Sequence, residues 1–239
     1  MKPILDLHVH TISSGHAYST LKENIEEASK KGIKYLGISD HAPSMPGGPH
    51  LFHFYNLRVI KEVIDGVRIL KGIEANIVDY DGSIDVPEDL LHQLDYVIAS
   101  VHTPCFNVSD IENNTNAVIG AMENPFITII GHPDDSRVKL DYEKIVAAAK
   151  RTGTILEINN SSIRPGGFRE GAKENLINLL NLCKENGVVV IMGTDSHIYY
   201  EIGDFTYALN LIEECNFPKE LVLNYSEDPL KILSKKNNY

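Results

Sequence analysis

Side chains that can bind metal ions stand at or near the ends of hydrophobic runs in this 239-residue chain. They occur in the order His8, His10, His41, Glu74, His102, His132, Asp195 and His197. The runs are short and rich in β-branched residues, as is typical of buried parallel strands. A lone histidine is more often an ordinary hydrogen-bonding residue than a ligand, but chance would scatter some of this set onto helices. Because the C-terminal ends of parallel strands meet at the mouth of a barrel, the pattern predicts a metalloenzyme.

The H-x-H spacing of His8 and His10 is the strongest local indication of a metal site. Residues two apart on a strand point to the same side, so both imidazoles should face the barrel interior. The same parity applies to Asp195 and His197. Asp6 lies on that side as well, one layer deeper, where it could orient a ligand imidazole or be paired elsewhere.

The elements that must position these residues alternate along the chain. Strand-like runs lie at about 4–10, 35–41, 68–78, 96–102, 126–132, 154–159 and 188–194. Helix-like stretches lie at roughly 20–32, 56–66, 86–93, 111–123, 141–152, 170–186, 202–214 and 227–236. Glycines 32, 66, 153 and 187 follow helix-like stretches, and residues 221–223 could add a short eighth strand. The alternation predicts a parallel sheet wrapped by helices in one domain over residues 1–239.

Composition narrows the function classes. The net charge is −11, with 22 basic and 33 acidic residues, which argues against non-specific binding to nucleic acid or to an anionic membrane. The three cysteines form no C-x-x-C motif, which favours reduced thiols. Neither a signal peptide nor a membrane-length apolar run is evident, so we expect a cytoplasmic protein.

Three further residues are left out of the predicted site. Asp40 should point away from the pocket if its neighbour points in, and His92 lies in a predicted helix at the surface. Cys105 follows a strand near the pocket, but no partner base is evident, so it is interpreted as a bystander thiol.

A series of motifs runs from residue 5 to about residue 200. They are Asp6-Leu7-His8-Val9-His10-Thr11, then His16, Ser39-Asp40-His41, Gly72-Ile73-Glu74, Ser100-Val101-His102, Gly131-His132-Pro133 and Asp195-Ser196-His197. The series resembles the polymerase and histidinol phosphatase (PHP) superfamily. Residues 49–58 and 157–162 resemble its small stand-alone phosphatase branch (YcdX-like). The resemblance implies an α/β fold, a distorted (β/α)₇ TIM-like barrel.

The resemblance also implies three divalent metal ions per chain. One would be held by His8, His10, Glu74 and Asp195, a second by Glu74, His102 and His132, and the third by His16, His41 and His197. His16 lies in a loop, where sequence alone would favour a solvent-exposed histidine. These ligand types suit Zn²⁺, Mn²⁺ or Fe²⁺. Two carboxylates against three dications leave about four uncompensated positive charges, which calls for an anionic substrate and a bound hydroxide.

Two glycine- and proline-rich loops, 42–53 and 159–169, are candidate substrate loops because both follow strand ends. Guanidinium groups suit phosphate oxygens, and Arg169 is the preferred candidate because its position resembles the family's loop arginine. The remaining substrate-binding candidates are Arg164, Arg58, His50 and His53. We expect Glu74, Asp195 and Arg169 to carry catalysis.

The sequence therefore predicts a metal-dependent hydrolase that cleaves phosphomonoesters of small metabolites by attack of a metal-bridging hydroxide. One alternative is a phosphodiesterase or 3′-exonuclease acting on nucleic acid ends. Another is a non-enzymatic module that binds metal or a partner protein. An amidohydrolase barrel also begins with H-x-H, but it commonly uses a carboxylated lysine at the strand that ends here in His102. A homo-oligomer is possible.

Overall fold

The computed structural model describes residues 2–233, in which strands and helices alternate. The strands are β1 (Leu5–Asp6), β2 (Tyr35–Ile38), β3 (Val63–Ile64), β4 (Val67–Lys71), β5 (Glu74–Asn76), β6 (Ile98–Ser100), β7 (Ile129–Ile130), β8 (Ile155–Asn159) and β9 (Val190–Gly193). The α-helices are α1 (Leu21–Lys31), α2 (Phe52–Tyr55), α3 (Glu88–Leu91), α4 (Ile111–Glu123), α5 (Tyr142–Thr152), α6 (Ala172–Asn186), α7 (Thr206–Glu214) and α8 (Pro229–Leu233). Short 3₁₀ helices cover Ile12–Ser14, Asn56–Val59, Ser161–Ile163, Tyr199–Glu201, Lys219–Leu221 and Leu223–Tyr225.

The strands form two sheets that meet at both edges. One has the order β1-β2-β4-β3, in which only β3 is antiparallel, and the other is parallel with the order β5-β6-β7-β8-β9. Isolated parallel bridges join His41 to Glu74 and Val9 to Ser196, one at each junction. Strands β4 and β5 are the two halves of the third predicted strand, so the parallel strands follow one another in chain order. The predicted α/β fold, a distorted TIM-like barrel, is confirmed.

Alternate residues along the strands divide between two hydrophobic clusters. Ile98 belongs to an inner cluster, whereas its neighbours Val97 and Ala99 pack in the outer cluster beneath the helices. Tyr96 is the largest side chain of the inner cluster, and its hydroxyl donates to the Leu7 carbonyl at 2.7 Å. The inner cluster thus fills the barrel below the strand ends that carry the ligand-type residues.

The predicted helix over 56–66 is wrong. Its first residues form a 3₁₀ helix, and its last residues form the hairpin between β3 and β4. Asp65 and Gly66 both have positive φ, 50° and 79°, which suits the tight turn of such a hairpin. Gly66 therefore ends no helix, whereas Gly32, Gly153 and Gly187 terminate α1, α5 and α6 in the left-handed conformation, as predicted.

Two terminal predictions have different outcomes. Residues 221–223 lie in and between two 3₁₀ helices, and only Val222 forms a parallel bridge, with Val190 of β9. The eighth strand is thus reduced to a single bridge. Of the last predicted helix, α8 covers Pro229–Leu233, and residues 234–236 lie outside the described part of the chain.

Candidate metal centre

The carboxylate of Glu74 lies at the centre of a group of imidazoles. Glu74 is fully buried at the start of β5. Nitrogen atoms of five histidines lie within 3.5 Å of its two oxygens: His8 at 3.3 Å, His10 at 3.5 Å, His41 at 2.7 Å, His102 at 3.2 Å and His132 at 2.9 Å. These histidines come from four different strand ends, because His8 and His10 both follow β1, so only the folded barrel brings them together.

Several buried nitrogen and oxygen atoms of this group form no hydrogen bond, which fits a site for metal ions. Nε2 of His8, Nε2 of His10 and Nε2 of His41 are buried without a hydrogen-bond partner, and Nδ1 of His41 and Oε2 of Glu74 lie 2.7 Å apart without the geometry of a hydrogen bond. Buried polar atoms are normally paired, so a set of unpaired nitrogens and oxygens facing one another requires an explanation. Two ligand atoms on one tetrahedral zinc at ~2.0–2.1 Å lie about 3.4 Å apart, close to the distances found here.

Asp195 provides a second carboxylate at the same cavity. Its Oδ1 lies 3.6 Å from His8, 3.4 Å from His10 and 3.6 Å from His197. Asp195 has φ 53° and His132 has φ 29°, so two ligand-type residues adopt a left-handed backbone that side chains other than glycine rarely accept. Such residues cost about 1–3 kcal/mol each and cluster at functional sites.

Four overlapping groups of three residues could each hold a metal ion. They are His10/His41/His197, His8/His132/Asp195, His8/His10/Glu74 and His41/Glu74/His102. The centroid of the His16 ring lies 5.0 Å from that of His41 and 4.7 Å from that of His197. The loop histidine therefore lies beside the first group. The structure therefore brings all the predicted ligand residues into one cluster, and their division among three ions stays a prediction.

Charges within the centre suit metal binding. Burial and the nearby His41 and His197 hold the pKa of His10 well below its ordinary value. Burial, together with Arg169, lowers the pKa of His132 to about 4. Both imidazoles are therefore neutral at pH 7, as a metal ligand must be. Burial also disfavours the charged form of Glu74, but the surrounding histidines outweigh it and keep the pKa of this carboxyl well below its ordinary value.

A second layer of polar residues orients the imidazoles, and the sequence reasoning assigned it no role. The Glu157 carboxylate, buried on β8, lies 2.7 Å from Nδ1 of His8 and accepts the backbone N–H of His132 at 2.8 Å. Asn76 Oδ1 lies 2.7 Å from Nδ1 of His102. Asn76 follows Glu74 by two residues on β5, so strand parity could have placed its side chain on the same side as the Glu74 carboxylate. Glu157 lies in the middle of β8, and the sequence assigned no metal ligand to that strand.

Asp40 and Asp6 also hold the centre from outside. Asp40 accepts hydrogen bonds from Thr11 and from the Ser14 hydroxyl, and that hydroxyl lies 3.0 Å from Nδ1 of His10. Asp40 thus supports a ligand although it belongs to no ligand group. Asp6 orients no imidazole: its carboxylate accepts from Thr194 and from the N–H of Gly203. The alternative that Asp6 is paired elsewhere is the correct one.

Arg169 reaches the centre from the loop after β8. Its guanidinium donates to Oδ2 of Asp195 at 3.2 Å and to the Ser162 hydroxyl at 2.9 Å, and only 6% of the side chain is exposed. Asn159 supports the same arrangement through its amide, which donates to Asp195 at 3.2 Å and to Glu157 at 3.1 Å. A fixed cation therefore stands beside the ligand-type residues, where a phosphoryl oxygen would need one.

The other predicted substrate residues lie in different surroundings. Arg164 lines the cavity of about 250 Å³ over the centre, where it forms a 2.6 Å ion pair with Glu201. His53 bonds Oδ2 of Asp40 at 3.1 Å, and His50 accepts a backbone N–H two residues ahead. Arg58 lines a separate groove.

The residues excluded from the site behave as expected of bystanders. The imidazole of His92 is 62% exposed, on the residue that ends α3. Burial, with Asp85 and Glu74 nearby, raises the pKa of the Cys105 thiol to about 11, so it is protonated at neutral pH and a poor nucleophile. Between residues 2 and 233, no helix is long and apolar enough to span a bilayer.

Comparisons with known proteins identify the family of this chain. A probable phosphatase of Caldanaerobacter subterraneus subsp. tengcongensis is 49% identical over 232 residues, covering 97% of this chain and 91% of the relative. The histidinol phosphate phosphatase of Lactococcus lactis, solved with zinc, L-histidinol and phosphate, has a TM-score of 0.63 at 18% identity, covering 91% of this chain and 95% of that chain. A chain of an archaeal ribonuclease P complex with mature tRNA has a TM-score of 0.56 at 13% identity, covering 98% and 91%. At these identities, the two structures show the fold alone.

The model of the PHP domain family matches residues 6–190, a span that includes Glu74 and every ligand-type histidine except His197. The relatives of high identity and the shared fold agree with that match. The chain belongs to the PHP domain family.

Proposed function

We propose that this protein is a metal-dependent phosphatase that hydrolyses phosphomonoesters of small metabolites. The observation that carries the proposal is the convergence of five imidazoles on the Glu74 carboxylate, with nitrogen atoms left unpaired. The relatives named probable phosphatases and the zinc, histidinol and phosphate bound by the Lactococcus lactis structure support the reaction class.

We assign three divalent ions, Zn²⁺, Mn²⁺ or Fe²⁺, to the predicted ligand sets. His8, His10, Glu74 and Asp195 form the first set, Glu74, His102 and His132 the second, and His16, His41 and His197 the third. When bound, the ions supply a hydroxide nucleophile at neutral pH and charge that stabilises the phosphoryl transition state. The chain's own residues hold the ligands: Glu157 fixes His8 and the backbone of His132, and Asn76 fixes His102.

Arg169 is the residue assigned to the phosphoryl group itself. Its guanidinium is buried and held by Asp195 and Ser162, so it can donate to a phosphoryl oxygen without first being ordered. A phosphomonoester dianion fits a cavity with several uncompensated positive charges better than a diester does. The acidic protein as a whole offers no basic track for a polynucleotide.

The test combines metal content with substrate preference. Protein reconstituted separately with Zn²⁺, Mn²⁺ and Fe²⁺ should contain about three ions per chain by elemental analysis and should hydrolyse p-nitrophenyl phosphate. Glu74→Gln, purified and loaded in the same way, is the control for contaminating phosphatase. Hydrolysis that is equal in the variant and the wild type, or a single ion per chain, would reject the proposal.

A further inference from the structure

The cavity over the metal centre is bordered by two further cavities that could receive a leaving group. One, of about 270 Å³, shares Met45, His102, Phe168 and Arg169 with it. The other, of about 310 Å³, has a different lining and shares Ser161, Arg164 and Glu201 with the cavity over the centre. A phosphoryl group held at the centre therefore has two neighbouring cavities into which its leaving group can extend.

Each of the two further cavities is lined by an arginine that is already paired with a carboxylate. Arg164 Nη1 lies 2.6 Å from Glu201 Oε1. In the cavity of about 270 Å³, Arg137 binds Asp135 through two nitrogens, Nη2 at 2.5 Å and Nε at 3.0 Å. Among the described residues that line the three cavities, Arg169 is the one remaining arginine, and it is committed to Asp195 and the phosphoryl position.

A second anion on the leaving group would therefore find no free arginine among the residues that line these cavities. It would instead approach the carboxylates of Glu201 and Asp135 in a protein whose net charge is −11. An uncharged group meets Met45 and the ring of Phe168, which is 67% exposed. An ammonium group could pair with either carboxylate.

We propose that Glu201 is a specificity-determining residue: by pairing with Arg164 at the wall of the metal cavity, it selects monophosphates whose leaving group is neutral or cationic and disfavours bisphosphates and phosphorylated acids. This inference rests on the proposed phosphatase function. It concerns the charge of the leaving group alone, which the metal ligands do not determine.

Three aryl phosphates of one shape provide the test: phenyl phosphate, 3-carboxyphenyl phosphate and 3-(aminomethyl)phenyl phosphate. For the wild type, kcat/KM of the carboxylate substrate should lie about three- to tenfold below that of phenyl phosphate, because the Arg164–Glu201 pair leaves no arginine charge to compensate the substrate carboxylate; one unit charge several ångströms away in a wet cavity has an effect of this size. Glu201→Gln should raise the ratio of carboxylate to phenyl substrate by about the same factor and lower the ratio of ammonium to phenyl substrate.

Two controls separate this effect from others. Glu62→Gln also frees an arginine, Arg68, from an exposed ion pair, but far from the cavity in the β3–β4 hairpin region, and should leave both ratios unchanged. The double variant Arg164→Gln/Glu201→Gln should lose the gain for the carboxylate substrate, because the gain depends on the released guanidinium.

If phenyl phosphate is not hydrolysed at all, the phosphatase proposal itself fails. If phenyl phosphate is hydrolysed but Glu201→Gln leaves both ratios within 1.5-fold of wild type, the assignment of Glu201 is wrong.

Discussion

Glu157 offers the most direct test of how the barrel holds its metal ligands, because one buried carboxylate serves two of them. Oε1 lies 2.7 Å from Nδ1 of His8, and Oε2 accepts the backbone N–H of His132 at 2.8 Å. In Glu157→Gln the side chain keeps one acceptor oxygen. The amide NH₂ must then face either the His8 ring or the His132 N–H, and at least one donor loses its partner.

The size of the effect follows from these contacts. A hydrogen bond to a charged group contributes about 1.5–3 kcal/mol, and loss of an outer partner typically weakens metal binding by about 10–100-fold. At lower pH, part of this loss of metal affinity is offset by a change in the protonation of His8. Burial lowers the pKa of His8, but the carboxylates of Glu157, Glu74 and Asp195 outweigh it and raise that pKa well above its ordinary value. Glu157 therefore also stabilises the protonated form of His8, and that proton competes with the metal ion.

The expected result is a weaker zinc affinity whose deficit grows with pH. Above the pKa of His8, no proton competes and the full 10–100-fold loss should appear. Below it, the zinc affinities of wild type and variant should converge. The pKa of His8 is lower in the variant, so a smaller fraction of its His8 is protonated and proton competition weakens zinc binding less. Chelator-competition titrations of Zn²⁺ at several pH values between about 6 and 9 measure this directly, with circular dichroism of the metal-free proteins to check the fold.

Glu123→Gln is the matched control for this experiment. Glu123 is half exposed at the end of α4 and pairs with Arg151 at the surface, so its loss should not alter zinc affinity at any pH. If Glu157→Gln binds zinc within twofold of wild type across the whole pH range, the carboxylate does not orient the ligands and the reasoning is refuted.

The remaining predictions concern chemistry at the same centre. Glu74→Gln should abolish turnover and reduce metal content while circular dichroism stays near that of wild type, and activity within threefold of wild type would contradict a bridging role. Arg169→Ala should retain its metals but lose one to two orders of magnitude in kcat/KM, the value of a charge-assisted bond of ~1.5–3 kcal/mol, as measured by steady-state kinetics. Cys105→Ser should leave kcat unchanged in the same assay, because the thiol is protonated at neutral pH. At equal metal loading, p-nitrophenyl phosphate should be cleaved faster than its bis ester, and a 3′-phosphorylated nucleotide faster than a single-stranded oligonucleotide. The reverse order would favour the exonuclease alternative.

Strand-end periodicity predicted a barrel and most of the residues that gather at its mouth, whereas His16, in a loop, was identified only through the family resemblance. His8 and His10 follow from parity alone, whereas the same parity gave Asp40 no role, although it accepts a hydrogen bond from the Ser14 hydroxyl that contacts His10. The β3–β4 hairpin was missed because the apolar spacing of residues 56–66 suits a helix locally. The Asp65-Gly66 turn overrides it through the positive φ of both residues.

The outer layer of the site was less visible from the sequence because its members act through partners far apart in the chain. Glu157 lies 149 positions from His8, and Asp6 lies 188 positions from Thr194. Local spacing carries no information on such pairs, and a buried carboxylate on a strand is compatible with many partners. The pairing of Arg164 with Glu201 is hidden for the same reason, since charge alone favoured a free phosphate-binding arginine.

The left-handed backbone of His132 and Asp195 has a consequence for protein design. Copying the ligand side chains onto the strand ends of a regular (β/α)₈ scaffold would not reproduce this centre, because two of them leave their strands in a conformation that ordinary strand ends do not offer. A successful graft would have to transfer the segments after β7 and β9 together with the Glu157 and Asp6 contacts that brace them. The transferable unit is therefore a pair of bent loops and their supports rather than a set of side chains.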